Sequence, residues 1–307
     1  MNENIVSSQL DNFDDLFTGN PVDIERNMSA LLPEAEKRPD KSVYLQILSQ
    51  IALAQAMQKK FAIAHQTLDQ AEKSLKSQYK LAQIRLLLER GRVYHQSDRL
   101  DQALSFFTQS YELSKLSREF DFHTVNAAHM IAIVELDVRD KIKWIKTAIS
   151  LAENTNDKRC YAWLGPLYNN LAQNYIEAEK YLEALQSFEE CKAYAEERGD
   201  QIVIRGAVWG IGRSLRSLGK LDQALENQSA LLMEYERISN EGLLPNELIC
   251  IVRGVVYEEL AEIYLATNAK EQSRKYARLA YDDLSQDSWM KKLYPKRIER
   301  MHELGYE

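Results

Sequence analysis

Apolar residues recur three and four positions apart along most of this chain, the spacing of one face of an α-helix, and the stripes come in pairs. The clearest pair is Tyr168, Leu171, Ala172 and Tyr175, then, after a polar break at Glu179-Lys180, Ala184, Phe188 and Cys191. Two stripes joined by so short a break predict a helical hairpin in which small residues let the helices approach closely. The frame recurs at Tyr257, Leu260, Ala261 and Tyr264 followed by Ser273, Ala277 and Ala280. It recurs again at Leu87, Gly91 and Tyr94 followed by Ala103 and Phe107. Looser copies are Leu48, Ile51 and Ala52 with Ala64, Leu68 and Ala71, and Val208, Ile211, Gly212 and Leu215 with Ala224. The weakest is Val125, Ala128 and Ala132 with Ile145 and Ala148.

The flanks differ from the repeats. A helix is predicted from Asp23 to Arg38, with Asp23 at its N-cap and Ile24, Met28, Leu31 and Leu32 on its buried stripe; Pro33 is expected to kink or break it. Pro295 opens a last short helix carrying Ile298, Met301 and Leu304, closed by Gly305. Both helices read as caps over the apolar faces that end repeats expose. The division is an acidic tail over 1–20, with Leu10, Phe13 and Phe17 on one possible helical face, a capping helix over 21–40, repeats over 41–285 and a second cap over 286–307.

These hairpins resemble the tetratricopeptide repeat family, whose first helix carries a large residue, then Leu-Gly/Ala, then Tyr, and whose second carries Ala, Phe and Ala. The resemblance implies an all-α fold, a right-handed α-solenoid of about six hairpins with capping helices at both ends. The second-helix position falls at 64, 103, 141, 184, 224 and 273, wider than the family's unit of about 34 residues. Longer helices or loops are expected, as in repeats of the kinesin-light-chain style, with a loop from Ile238 to Asn246. Phrases such as Ala127-Ala128-His129-Met130 and Leu215-Arg216-Ser217-Leu218-Gly219 are similar to stretches of uncharacterised bacterial repeat proteins with units of roughly 40 residues.

Composition narrows the function. Among 307 residues, 39 Lys and Arg face 46 Asp and Glu, a net charge of −7, which disfavours a nucleic-acid partner. Only 11 Gly and 6 Pro suit long helices better than turn-rich β folds or phosphate-binding loops. Three scattered cysteines, Cys160, Cys191 and Cys250, form neither a disulfide framework nor a zinc spacing. No signal peptide or membrane span is apparent, so a soluble, cytoplasmic protein is expected. No motif of catalysis or cofactor binding is found; no enzyme activity, metal or cofactor is expected. Gly206, Gly210 and Gly212 follow no strand, and Gly212 falls where helices need a small residue. His123 and His129 lie about 120° apart on a helix, too divergent to share a metal. His129 is expected to be partly buried and Cys191 to be packing.

The family resemblance implies a groove lined by first helices. Carried onto this chain, its positions fall on Arg85, Arg92 and His95, with Glu89 beside them; on Asn126, Met130 and Ile133; and on Asn169, Gln173 and Glu177, with Asn170 adjacent. Further along they fall on Trp209, Arg213 and Arg216, and on Glu258 and Glu262. Amides can pair with a peptide backbone, arginine can fork onto a carboxylate, and Trp209 offers a flat apolar anchor. Against this, exposed Arg and Glu commonly form solvated pairs along a helix, Arg92 with Glu89 for example. The carboxylate clamp of chaperone-adaptor members is missing: Asn170 alone matches, while Asn126, Met130, Gly206 and Gly210 fill the other places.

The expectation is a non-catalytic module that binds a peptide or partner protein, anchored by an acidic side chain near Arg92 or Arg213 and by a basic group near Glu258 and Glu262. The alternative is a peptide-responsive regulator whose curvature changes on binding. The tail either caps the first repeats or enters the groove as a self-ligand, Phe13 and Phe17 meeting Trp209 or Met130. Self-association through the caps, giving a homo-oligomer, stays open.

Overall fold

A computed structural model describes residue 10 and residues 12–306, so residues 1–9 and 11 of the acidic tail lie outside the described residues. All regular elements among the described residues are helical. The chain divides into two compact units, residues 1–163 and 164–307.

The first unit opens with a 3-10 turn, Phe13–Leu16, and continues through α1 (Pro21–Lys37), α2 (Ser42–Met57), α3 (Phe61–Lys73), α4 (Lys80–Gln96), α5 (Leu100–Ser114), α6 (Asp121–Val134), α7 (Val138–Glu153) and α8 (Lys158–Tyr161). Hairpins α2–α3, α4–α5 and α6–α7 are the repeats. Helix α2 is buried from Leu45 to Ala56 because it serves two cores. Leu45, Leu48 and Ala52 meet Ala64, Leu68 and Ala71 of α3. Ile47, Ile51 and Ala54 meet Ile24, Met28, Leu31 and Ala35 of α1.

Three expectations for the N-terminal region change. Asn20, not Asp23, caps α1: its side-chain oxygen accepts from the amides of Val22 and Asp23, and Pro21 sits at the first helical position, where its fixed φ suits the start and its missing N–H costs nothing. Pro33 does not end the helix, which runs to Lys37 while Ile24, Met28, Leu31 and Ala35 hold its stripe in the core. Leu10 and Phe13 join that same core, with Phe17 packed partly against it, so the described tail packs against the first helices and does not reach Met130.

The second unit comprises α9 (Leu164–Glu177), α10 (Tyr181–Arg198), α11 (Gln201–Ser217), α12 (Leu221–Asn240), α13 (Asn246–Ala266), α14 (Lys270–Leu284), α15 (Ser288–Leu293) and α16 (Pro295–Tyr306). Three hairpins, α9–α10, α11–α12 and α13–α14, precede two short helices. The loop expected from Ile238 is shorter, because α12 continues to Asn240 and Ile238 is buried in the core. Gly305 does not end α16, which runs to Tyr306. Its hydrogen lets Arg278 approach closely enough for Nε to donate to the Gly305 carbonyl at 2.7 Å.

Small residues do the work the pattern assigned to them. A Cβ on Gly91 would lie 2.5 Å from the Phe107 ring, and one on Gly210 would collide with the Phe188 ring. Both phenylalanines are fully buried. Gly212 likewise has the Gln228 side chain against it. Five hairpins turn on a residue in the left-handed region: Lys59, Asp98, Glu179, Gly219 and Asn268. In each, the next residue's amide returns to a carbonyl of the first helix, as Lys180 does to Tyr175 at 2.8 Å, closing the helix end. The α6–α7 hairpin lacks this turn; Asp137 caps α7 instead.

Candidate functional site

In the first unit, successive first helices α2, α4 and α6 carry a row of polar side chains, all of them buried: Gln46, Gln50, Arg85, Glu89, His123 and Asn126. Gln50 donates to Glu89 at 3.3 Å. Arg92 donates twice to Glu89, at 2.9 and 3.0 Å, and once to Asn126 Oδ1 at 2.9 Å. The helix-local pair Arg92–Glu89 is therefore formed, and it links two of the residues assigned to the groove, Arg92 and Asn126. His95 is half-buried one turn further along α4, and Met130 packs against the Phe107 core.

Arg85 has a different kind of partner. Its guanidinium forks onto both carboxylate oxygens of Asp14, with Nη1 to Oδ2 at 2.8 Å, and lies 5.1 Å from the centre of the Phe13 ring. Asp14 belongs to the 3-10 turn, 71 positions away in sequence, and its side chain stays 55% exposed. Around this contact is a cavity of about 390 Å³ walled by Leu10, Gln46, Glu119, His123 and Arg159 among others. Burial alone would raise the Asp14 pKa; hydrogen bonds from Arg85 and the charges of Arg85 and Arg159 outweigh it and hold the carboxyl below its usual range. Two buried nitrogens here, Arg85 Nε and His123 Nδ1, have no hydrogen-bond partner. Burial and the nearby arginines push the His123 pKa down to about 3, so its ring is neutral near pH 7.

In the second unit the corresponding first helices are α9, α11 and α13. Asn169, Asn170 and Gln173 sit half-buried on α9. On α11, Arg216 donates to Glu259 at 2.7 and 3.3 Å, Arg213 lies 3.7 Å from the same carboxylate, and the Arg213 guanidinium stands 5.4 Å from the centre of the Trp209 ring. The Trp209 indole donates to the Val255 carbonyl at 3.2 Å. On α13, Glu258 takes three hydrogen bonds from Arg297, and Glu262 one from Arg300 at 3.1 Å. Glu258 and Glu262 are thus paired within the chain, by arginines of α16. Glu259, Arg297 and Arg300 escaped the sequence reading because their partners lie about one repeat away.

The remaining chemistry is quiet. His129 packs edge-on to Trp163, and burial with Arg92 nearby brings its pKa down to about 4. Burial raises the Cys160 and Cys191 thiols to about 11, well away from thiolate reactivity. Among the described residues no cluster of three His, Cys, Asp or Glu could hold a metal ion, and no helix is long and apolar enough to cross a membrane.

A family model for the tetratricopeptide repeat matches residues 84–115 and 165–198, which cover most of hairpins α4–α5 and α9–α10. No curated protein matches the chain. Solved structures share its fold at low identity. The apo form of RapI aligns with a TM-score of 0.71 and 14% identity over 99% of this chain and 82% of that one. NprR in complex with its cognate peptide NprX aligns at 0.55 and 16%, over 99% and 82%. A signal-transduction ATPase with a tetratricopeptide repeat sensor, from Pyrococcus horikoshii, aligns at 0.67 and 15%. This chain spans 99% of itself but 46% of that ATPase chain, less than half its length. Two hairpins thus match the tetratricopeptide repeat in sequence, four more are built on the same frame, and the all-α hairpin fold is shared with known repeat structures.

Proposed function

We propose that the chain is a non-catalytic interaction module and that the α2–α4–α6 face binds an extended partner segment carrying an aromatic residue next to an acidic one. The observation that carries this is the seating of Phe13-Asp14 on Arg85. A bidentate guanidinium–carboxylate contact with an aromatic ring beside it is a recognition geometry, and here the chain supplies its own occupant. Asp14 is half exposed and anchored on a short turn, so a segment of the same chemistry from another molecule can take its place. The buried Gln46 and Asn126 amides flank Arg85 and Arg92 with groups able to pair with peptide backbone. The peptide-bound state of NprR, a structural likeness, supports a peptide as ligand.

A regulator is the second reading, and the Asp14 contact favours it: a ligand that displaces the turn frees the N-terminal residues for another use. The net charge of −7 weighs against nucleic acid as the partner, and three free cysteines support a cytoplasmic setting. Selection from a random peptide library, with the Phe13→Ala, Asp14→Ala chain as bait, tests the reading. Enrichment of aromatic–acidic pairs, lost with Arg85→Ala, is expected; enriched peptides without an acidic residue, bound equally by the Arg85→Ala chain, contradict it.

A further inference from the structure

The second unit holds a cavity that the peptide reading does not use. It opens between the first turns of α11, the last turns of α12 and the start of α13, and it has a volume of about 330 Å³, within the range of small-ligand sites. Its walls are aliphatic: Leu244, Leu248, Val252, Val255 and Val256, closed on one side by the Trp209 ring. The indole N–H is already committed to the Val255 carbonyl, so the inner wall offers a ligand no free donor. Burying a polar group there would go uncompensated.

Two further features define the occupant. Gly206 borders the space, and nothing lies within 4 Å of where its Cβ would stand. Its neighbours Gly210 and Gly212 are packed tight against side chains, so Gly206 alone of the three leaves room. At the mouth are Ile202, 75% exposed, and Arg205, whose guanidinium is mostly buried, 3.1 Å from Glu234 and 5.9 Å from the centre of the Tyr235 ring. An apolar chamber with an arginine at its entrance, its counter-charge the partly exposed Glu234, matches a molecule with an aliphatic body and a single anionic end.

We infer that this cavity binds a medium-chain fatty carboxylate, its alkyl chain along the valines and Trp209 and its carboxylate at Arg205. On binding, Arg205 shares its guanidinium between Glu234 and the ligand, and Ile202 covers the first methylenes. The site draws on Trp209 but on none of Arg85, Arg92 or Asp14, so it stands or falls separately from the aromatic–acidic face.

The test uses the whole chain and decanoate brominated at its terminal carbon, which quenches a tryptophan it touches. Saturable quenching that disappears in Trp209→Phe is expected. Gly206→Leu plugs the chamber while removing a helical glycine, so it should keep or raise the melting temperature and weaken binding about tenfold or more. Should that variant fold poorly, Ile202→Glu serves: its exposed position tolerates the change, and its carboxylate should weaken decanoate several-fold more than it weakens decanol, which loses only the apolar cover. Decanoate binding unchanged by either folded variant, or quenching that rises linearly without saturation, would overturn the assignment. So would decanol binding as tightly as decanoate to the wild type, which would leave an apolar cavity with no role for Arg205.

Discussion

Arg85, near the start of α4 in the first unit, and Arg216, at the end of α11 in the second, are each neutralised by one carboxylate. The carboxylates are unlike. Glu259 sits on α13, a helix of 21 residues, and is almost wholly buried. Asp14 sits on a four-residue turn and is half exposed. A partner built into a long packed helix is a structural brace, whereas a partner on a short turn can leave for the cost of re-exposing the Phe13 ring beside it, about 1.5–3 kcal/mol. The difference teaches where to look for binding: not where arginines are numerous, but where their counter-charge is loosely held.

The largest expected effect breaks the brace. Glu259→Ala leaves Arg216 and Arg213 without their shared carboxylate and should destabilise the chain by about 3–5 kcal/mol. Asp14→Ala removes a half-exposed carboxylate but leaves the buried Arg85 guanidinium without its counter-charge, and should cost less, about 1–2 kcal/mol. Urea unfolding of the two variants measures this directly, and equal losses would erase the distinction between the units.

Acid should sharpen the comparison next. His123 has its folded pKa near 3, below its unfolded value of about 6.5. The unfolded chain therefore takes up the proton first. Stability is full above pH of about 6.5 and declines toward pH 3, by on the order of 4 kcal/mol at the low end. Asp14, also depressed, keeps its contact above the ordinary carboxylate range and loses it as pH falls through its lower folded value. Denaturation midpoints at several pH values should show a slope that flattens in His123→Asn, beginning well above the pH at which the Asp14 contact breaks.

The smallest effect concerns the turns shared by both units. Lys59, Asp98 and Glu179 hold left-handed conformations, which cost a side-chain-bearing residue about 1 kcal/mol or more. Replacing any of them with glycine should stabilise by roughly 0.5–1 kcal/mol, read as a rise in melting temperature.

The hairpin frame was legible in the sequence because it is local. A small residue such as Gly91 or Gly210 and the phenylalanine packed on it belong to neighbouring helices, and the spacing repeats. The α6–α7 repeat was faint for reasons now visible: Lys141 takes its small-residue position, and its turn is closed by Asp137 and not by a left-handed residue. The proposed binding face was only partly legible. The groove positions implied by the family resemblance placed Arg85, Arg92 and Asn126 on it, but the partners that decide their meaning come from distant positions. Asp14 is 71 residues from Arg85, Glu259 is 43 from Arg216 and Arg297 is 39 from Glu258. The cavity at Gly206 left no periodic signal, since its emptiness depends on how three helices meet.

The central claim is that the α2–α4–α6 face takes an aromatic–acidic segment and that Phe13-Asp14 occupies it in cis. The direct measurement is a calorimetric titration of a synthetic peptide spanning residues 8–18 into three chains: wild type, Phe13→Ala, Asp14→Ala, and that double variant with Arg85→Ala. Binding to the double variant, at least tenfold weaker in the wild type because its own segment competes, and absent once Arg85 is removed, is the predicted result. Equal binding to all three chains, or none to the double variant while its helical content and melting remain those of the wild type, would contradict the account.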